Sequence, residues 1–331
     1  RAGRLNKVDY LMLASALWGG LALFASQPGP RVIESVGIHV VEVVGGYLVA
    51  RLGLRSAEDF LRFVRLMYRV ILALLPFAAF ESITGTAVLL ELIPMTHNEV
   101  WAGGERLGLD RAQVVFAHPI LYGAFVSTGF ALSWYVLRPD AGFLGRAITV
   151  APVALATFFS LSAGALLAFV VQTVMIGWDV VLRGFRGRWK LFMWLTAITY
   201  VTLDILSNRT PFHLLVDYGT FSSKTAYYRI VIWRHGIDDV YRNPLFGLGN
   251  NIESWTRAFW MGSSIDNFWL FMAMKFGIPT FLTLAGAAIA VLWRAGRVEM
   301  PDPLDRACRT GWAIAFVGLM LAGGTVHYWT T

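Results

Sequence analysis

Runs of about twenty predominantly apolar residues recur along the whole chain, the length an α-helix needs to cross a bilayer. Nine candidate spans fall at roughly 8–26, 32–50, 66–92, 113–137, 147–160, 162–182, 191–207, 267–293 and 308–327. In hydrocarbon every backbone polar group must be satisfied within the chain, so segments of this kind fold as helices. The expected fold class is therefore all-α: a polytopic transmembrane helical protein forming a single membrane domain over 1–331. Only 15% of residues are charged, against about 25% in an ordinary soluble domain. The net charge of +7 does not read as nucleic-acid binding, because arginines in short loops account for most of it. A single cysteine, Cys308, excludes an intrachain disulfide and a cysteine-based metal cluster. The chain opens on Arg1-Ala2-Gly3 rather than Met, without a signal-peptide pattern, and stops soon after a hydrophobic run. Further segments are expected beyond both ends.

Orientation follows from Lys and Arg in the loops. With the N-terminus inside, eighteen of them lie on the inner side and three, Arg31, Arg106 and Arg111, in the short outer loops. This predicts a long outward-facing loop over 208–266, on the extracytoplasmic side. Loops longer than about 12–15 residues are usually functional or disordered. This one is too rich in aromatics for disorder.

Ionisable groups inside a span default to a functional hypothesis. Glu34, His39 and Glu42 fall within the second span, and His39 and Glu42, three apart, are expected on one helix face. The plainer reading is a buried polar pair or a segment with wet ends. Glu81 and Asp204 read as structural polar contacts. In the outer segment 93–112, Arg111 is expected at the membrane surface, where it could equally be a snorkelling anchor. His118-Pro119 is expected about two turns into the next span, with a neighbouring carbonyl as the ordinary partner for the histidine. Ser160-Leu-Ser-Ala-Gly164 predicts a tight outer turn whose small residues let helices approach closely.

Within the long loop, 225–242 is the best amphipathic candidate. Ile230, Trp233, Ile237 and Tyr241 recur at helical spacing on one face, while Arg229, Arg234, His235, Asp238, Asp239 and Arg242 take the polar side. Such a helix would lie in the interface plane with its apolar face in lipid and its arginines level with lipid phosphates. Asn243-Pro244 stops it, and Gly247 and Gly249 form a turn. Trp255 and Trp260 read as interface anchors before sugar platforms. Ser263-x-x-Asp266 ahead of an apolar run is a helix-capping signature, so Asp266 is expected either to cap or to act as a base.

Taken together, these residues resemble the superfamily of O-antigen ligases and polysaccharide polymerases. The motifs that carry the resemblance are Arg229 with Trp233 four residues on, Pro244-Leu245-Phe246-Gly247-Leu248-Gly249, Asp266-Asn267 with Leu270 and Phe276-Gly277 downstream, and Arg111 with His118-Pro119 upstream. They cover roughly 100 to 327. Two positions depart from the pattern. Ser162-Ala163-Gly164 stands where the family often has Ser-Arg-Gly, so one phosphate-binding arginine is absent, and Arg111 or Arg234 would have to replace it. Asp266 stands where ligases carry His, and Asp-Asn there is more like the exopolysaccharide polymerases.

The resemblance implies a GT-C-like membrane glycosyltransferase of the bacterial inner membrane that uses no metal or other cofactor. It would polymerise or transfer repeat units carried on undecaprenyl diphosphate, with a glycan acceptor, membrane lipids, and chain-length regulators and export proteins as partners. Asp266 and Arg229 are the expected catalytic residues. Arg111, His118, Arg234, Trp233 and Asn267 are the expected substrate-binding residues. The alternatives left open are an O-antigen ligase acting on lipid A core, a lipid-linked glycan transporter or flippase, and a structural subunit of an export complex.

Overall fold

The computed structural model describes residues 4–26, 29–92, 104–206 and 223–328. The outer segment at 93–103 and the start of the long loop, 207–222, lie outside these. The described residues form thirteen α-helices and no β-strand. They run α1 (Lys7–Ser26), α2 (Pro30–Val40), α3 (Gly46–Gly53), α4 (Ala57–Thr84), α5 (Val88–Leu92), α6 (Pro119–Leu132), α7 (Phe143–Phe159), α8 (Ala163–Val181), α9 (Arg188–Leu206), α10 (Ser223–Arg242), α11 (Phe268–Phe276), α12 (Ile278–Arg297) and α13 (Pro303–Ala322). A π-helical stretch, Val41–Gly45, joins α2 to α3, and a second, Ser133–Leu137, extends α6. Seven helices are long and apolar enough to cross a membrane. This is a polytopic helical membrane protein.

The boundaries differ from the sequence reading where a local signal overrode hydropathy. The span expected at 267–293 breaks at Gly277 into α11 and α12, because Gly277 has φ +84° and Pro279 follows within the next first turn. The span expected at 66–92 starts earlier, where Ser56 Oγ accepts the Asp59 N–H at 3.1 Å, and ends before Gly85. The span expected from 113 begins only at Pro119. His118 is thus not two turns inside a helix but is its N-cap. The spans at 147–160 and 308–327 correspond to α7, which is shorter than a full crossing, and α13, whose first two turns carry Asp305, Arg306 and Arg309.

The helices gather into two units. The first comprises residues up to 63 and 231–309; the second comprises 64–230 and the residues from 310. In the first, α1 packs along α12 and α2. Its buried stripe is small (Ser15, Ala16, Gly19, Gly20, Ala22), whereas Leu13, Leu17, Leu21 and Phe24 point outward. Lipid is as apolar as leucine, so close packing of small residues is what holds such helices together. Asp9 at the start of α1 is buried and pairs with Arg51 at the end of α3 (2.8 Å), which ties the two ends of this helical hairpin. His39 is buried, with its ring 4.3 Å from that of Phe276, while Glu42 is exposed. The two residues expected on one helix face thus differ in burial.

In the second unit α6 is the centre, packed on α7 and α8. Gln172 of α8 is fully buried and takes both groups of what would be one helical i→i+4 bond in α6: its Nε2 donates to Ser127 O (2.9 Å) and its Oε1 accepts the Ala131 N–H (3.0 Å). A side chain inserted in this way accounts for the π-helical continuation that follows. At one end of the unit, Tyr135 and Arg188 both meet Asp179, at 2.8 and 2.7 Å. At the opposite end the finish of α4, the loop before α6, the α7–α8 turn and Val326 come together. No residue of α9 is buried.

Candidate functional site

Helix α10 keeps part of the face assignment made from sequence and departs from it at two charged residues. Its buried positions are Ala226, Arg229, Val231, Ile232, Gly236, Asp239 and Val240, while Trp233 and Tyr241 are exposed. Of the expected apolar stripe, Trp233 and Tyr241 thus face outward, while Ile230 and Ile237 are half-buried. Arg229 and Asp239, however, leave the expected polar side and turn inward. Arg229 is 7% exposed. Arg234 stays exposed, one position beyond Trp233.

Asp239 carries structure rather than chemistry. Its carboxylate accepts the Thr256 N–H at 2.6 Å and the Thr256 hydroxyl at 2.7 Å, which fastens the segment after the glycine turn to α10. Helix α10 meets α11 at Gly236, where even a Cβ would overlap Met274 and Leu270. The Pro244–Gly249 motif is bound to the other end of α11. Leu248 N–H donates to Met274 O (2.7 Å), and Ile278 N–H donates to Pro244 O (2.8 Å). Trp18 of α1 closes the clasp by stacking on Phe246 and donating its indole N–H to Leu245 O (2.8 Å). The motif glycines and Phe276-Gly277, far apart in sequence, are therefore two halves of one backbone joint.

At the start of α11 the cap is Asn267, not Asp266. Asn267 is buried, and its Oδ1 accepts the Leu270 N–H at 3.0 Å. This corrects the capping role expected for Asp266 and gives Asn267 a structural role, which leaves the substrate contact expected for it untouched. Asp266 is half-buried, and its Oδ1 accepts the Ser264 hydroxyl at 2.8 Å. A capping carboxylate would have its oxygens turned into the first helical turn; Asp266, one position earlier, does not. Trp255 is also not an anchor: it is buried and donates to Ser263 O (3.0 Å), supporting the loop that leads to Asp266. Trp260 and Phe259 are exposed.

In the second unit the segment before α6 holds Arg111, 8% exposed, and ends on His118. His118 Nδ1 accepts the Ile120 N–H at 3.1 Å, so that nitrogen serves as the helix cap. Two non-glycine residues near Arg111 sit at positive φ: Val114 at +59° and Leu161 at +43°. For a β-branched residue this is a true outlier, worth roughly 1–3 kcal/mol, and such strain gathers at functional sites. Leu161 lies in the tight α7–α8 turn, where the sequence lacks the expected arginine. Arg106 reaches that turn instead, donating Nη1–H to Leu161 O at 2.6 Å. The Arg111 segment runs beside it, with Ala112 N–H on Phe159 O at 3.0 Å. Arg106 carried no motif and was missed. Arg234, the other residue considered as a replacement, belongs to the first unit.

Among the described residues no group of three or more His, Cys, Asp or Glu side chains is placed to hold a metal ion. No model of a known protein family matches the chain, and no curated protein matches its sequence.

Proposed function

We propose that this chain is a metal-independent membrane glycosyltransferase that acts on glycan carried by a polyprenyl diphosphate, and that polymerisation of repeat units is its reaction. The observation that carries this reading is the burial of Arg229 on the inner face of a helix that exposes its tryptophan and tyrosine. Burying a guanidinium costs several kcal/mol. An interfacial arginine with only an anchoring task would snorkel outward instead. Arg111, equally buried on a strained segment of the same unit, is the second cation.

In the reaction the acceptor hydroxyl attacks the anomeric carbon, and the bond from that carbon to the diphosphate oxygen breaks. A base takes the hydroxyl proton, the role the resemblance gives to Asp266, and the lipid diphosphate leaves with its negative charge held by Arg229 and Arg111. Arg suits this task because its planar fork meets phosphate oxygens bidentately and stays charged. Arg234 and Trp233, exposed on α10, lie where headgroup and sugar arrive. The loop from 208 to 266 faces the extracytoplasmic side of a bacterial inner membrane in a GT-C-like arrangement.

The test is turnover of a prenyl-diphosphate-linked repeat unit by the purified protein in detergent, resolved on a gel. A product ladder is the expected result. A single transfer to lipid A core would make the protein a ligase, and no product from well-folded protein would sink the reading in favour of transport. Arg229→Lys is expected to lose on the order of 10²–10³ in rate, like removal of one oxyanion-hole donor, because an ammonium cannot reproduce the fork. Near-normal polymer from well-expressed Arg229→Ala would remove Arg229 from the mechanism.

A further inference from the structure

Segment 110–114 crosses the end of α4, and its backbone is fixed at Asp110, Ala112, Gln113 and Val114. Asp110 donates its N–H to Ser82 O (2.9 Å) and accepts the Ser82 hydroxyl on its carbonyl (2.7 Å). Ala112 donates to Phe159 O (3.0 Å). Gln113 and Val114 donate their N–H groups to the two carboxylate oxygens of Glu81, at 3.0 and 2.9 Å. Glu81 is itself buried, 6% exposed, within an apolar helix. All of these residues belong to the second unit.

If joining the loop to α4 were the whole task, the paired bonds of Ser82 would suffice. What the Glu81 carboxylate adds is control of two consecutive N–H groups, one of them on Val114, whose φ of +59° a β-branched residue does not hold unaided. Only a carboxylate accepts on both oxygens; a carboxamide would set an NH₂ group against one of the N–H donors. The bonds are charge-assisted and so the strong kind. We propose that Glu81 is the positioning residue for Arg111: it clamps the backbone that follows the arginine so that the guanidinium meets the diphosphate in one orientation. This rests on Arg111 being a diphosphate ligand.

The test uses the full chain in detergent, with farnesyl diphosphate as a soluble probe and isothermal titration calorimetry as the readout. Arg111→Ala is expected to weaken binding about tenfold or more, as loss of a charge-assisted contact does. Glu81→Gln is expected to weaken it comparably, and the double variant no further than Arg111→Ala alone, because the two changes remove one interaction. Adding Val114→Gly to Glu81→Gln is expected to restore most of the affinity, since glycine adopts positive φ without a clamp. If Glu81→Gln cannot be purified, Glu81→Asp, which keeps the charge but shortens the reach by one methylene, enters the same cycle. Wild-type affinity in the Glu81 variant, or losses that multiply in the double variant, overturns the proposal while leaving Arg111 in place. No binding by the wild type, or unchanged binding by Arg111→Ala, removes the reading beneath it and the proposal with it.

Discussion

Asp266 and Asn267 are neighbours with separate tasks. Because Asn267 caps α11, an Asp266 variant leaves the helix start intact and reports on chemistry. Asp266→Asn keeps the size and can still accept from Ser264, but it takes no proton at neutral pH. It is expected to insert normally and lose roughly 10²–10⁴ in rate, the range for general-base removal. Asp266→His is expected to recover part of the activity and to gain a pH dependence, rising through pH ~6–7 as imidazole deprotonates. Wild-type polymer yield from a normally inserted Asp266→Asn protein would decide against the base. Of the residues here, those in motifs (Arg229, Asp266, His118) could be singled out from sequence. Glu81 and Asp239 could be seen as charges but not as clamps, because the N–H groups they bind are 17 to 33 residues away and carry no side-chain signature.

At the scale of the element, α10 was legible as a helix. Its inward face was not. Apolar periodicity singles out Ile230, Trp233, Ile237 and Tyr241, but the buried positions include Ala226, Val231, Ile232 and Val240, with Arg229 and Asp239 among them. The glycine motif has the converse history. Gly247 and Gly277 lie at φ +61° and +84°, and a Cβ on either would overlap backbone of the other half of the joint, at Met274 and Lys275 or at Leu245. Gly277→Ala and Gly247→Ala are each expected to destabilise the protein by at least about 1–2 kcal/mol, from left-handed strain alone. Gly177→Ala in α8, where a Cβ meets nothing within 4 Å, is the control and should be neutral or stabilising. Thermal unfolding midpoints in detergent measure the difference. An unchanged midpoint for both joint variants would mean that the clasp bears no load.

For the whole molecule, polar contacts gather at helix ends within each unit. Asp9 and Arg51 meet at one end of the first; Tyr135, Asp179 and Arg188 meet at one end of the second. The eighteen-to-three imbalance of loop Lys and Arg then predicts which end is cytoplasmic. In a Cys308→Ala background, a cysteine at exposed Glu253 is expected to react with an impermeant maleimide in intact spheroplasts, and one at Gly184 only after lysis. Labelling at 184 alone would reverse the orientation and move the proposed site to the cytoplasm.

Helix content and the membrane as solvent were determined by sequence, because they depend on local composition and on the bilayer's demand that backbone bonds close within a segment. Hydropathy offered nine spans, and the described residues hold seven helices long and apolar enough to cross. Breaks at Gly277 and before Pro119 were also written locally, in residues that hydropathy averages away. Tertiary structure alone decided which residue caps α11, which face of α10 meets protein, and that Glu81 grips the loop around Arg111. Each of these depends on a partner distant in the chain, and a side chain's role is set by the backbone group that folding brings within 3 Å of it.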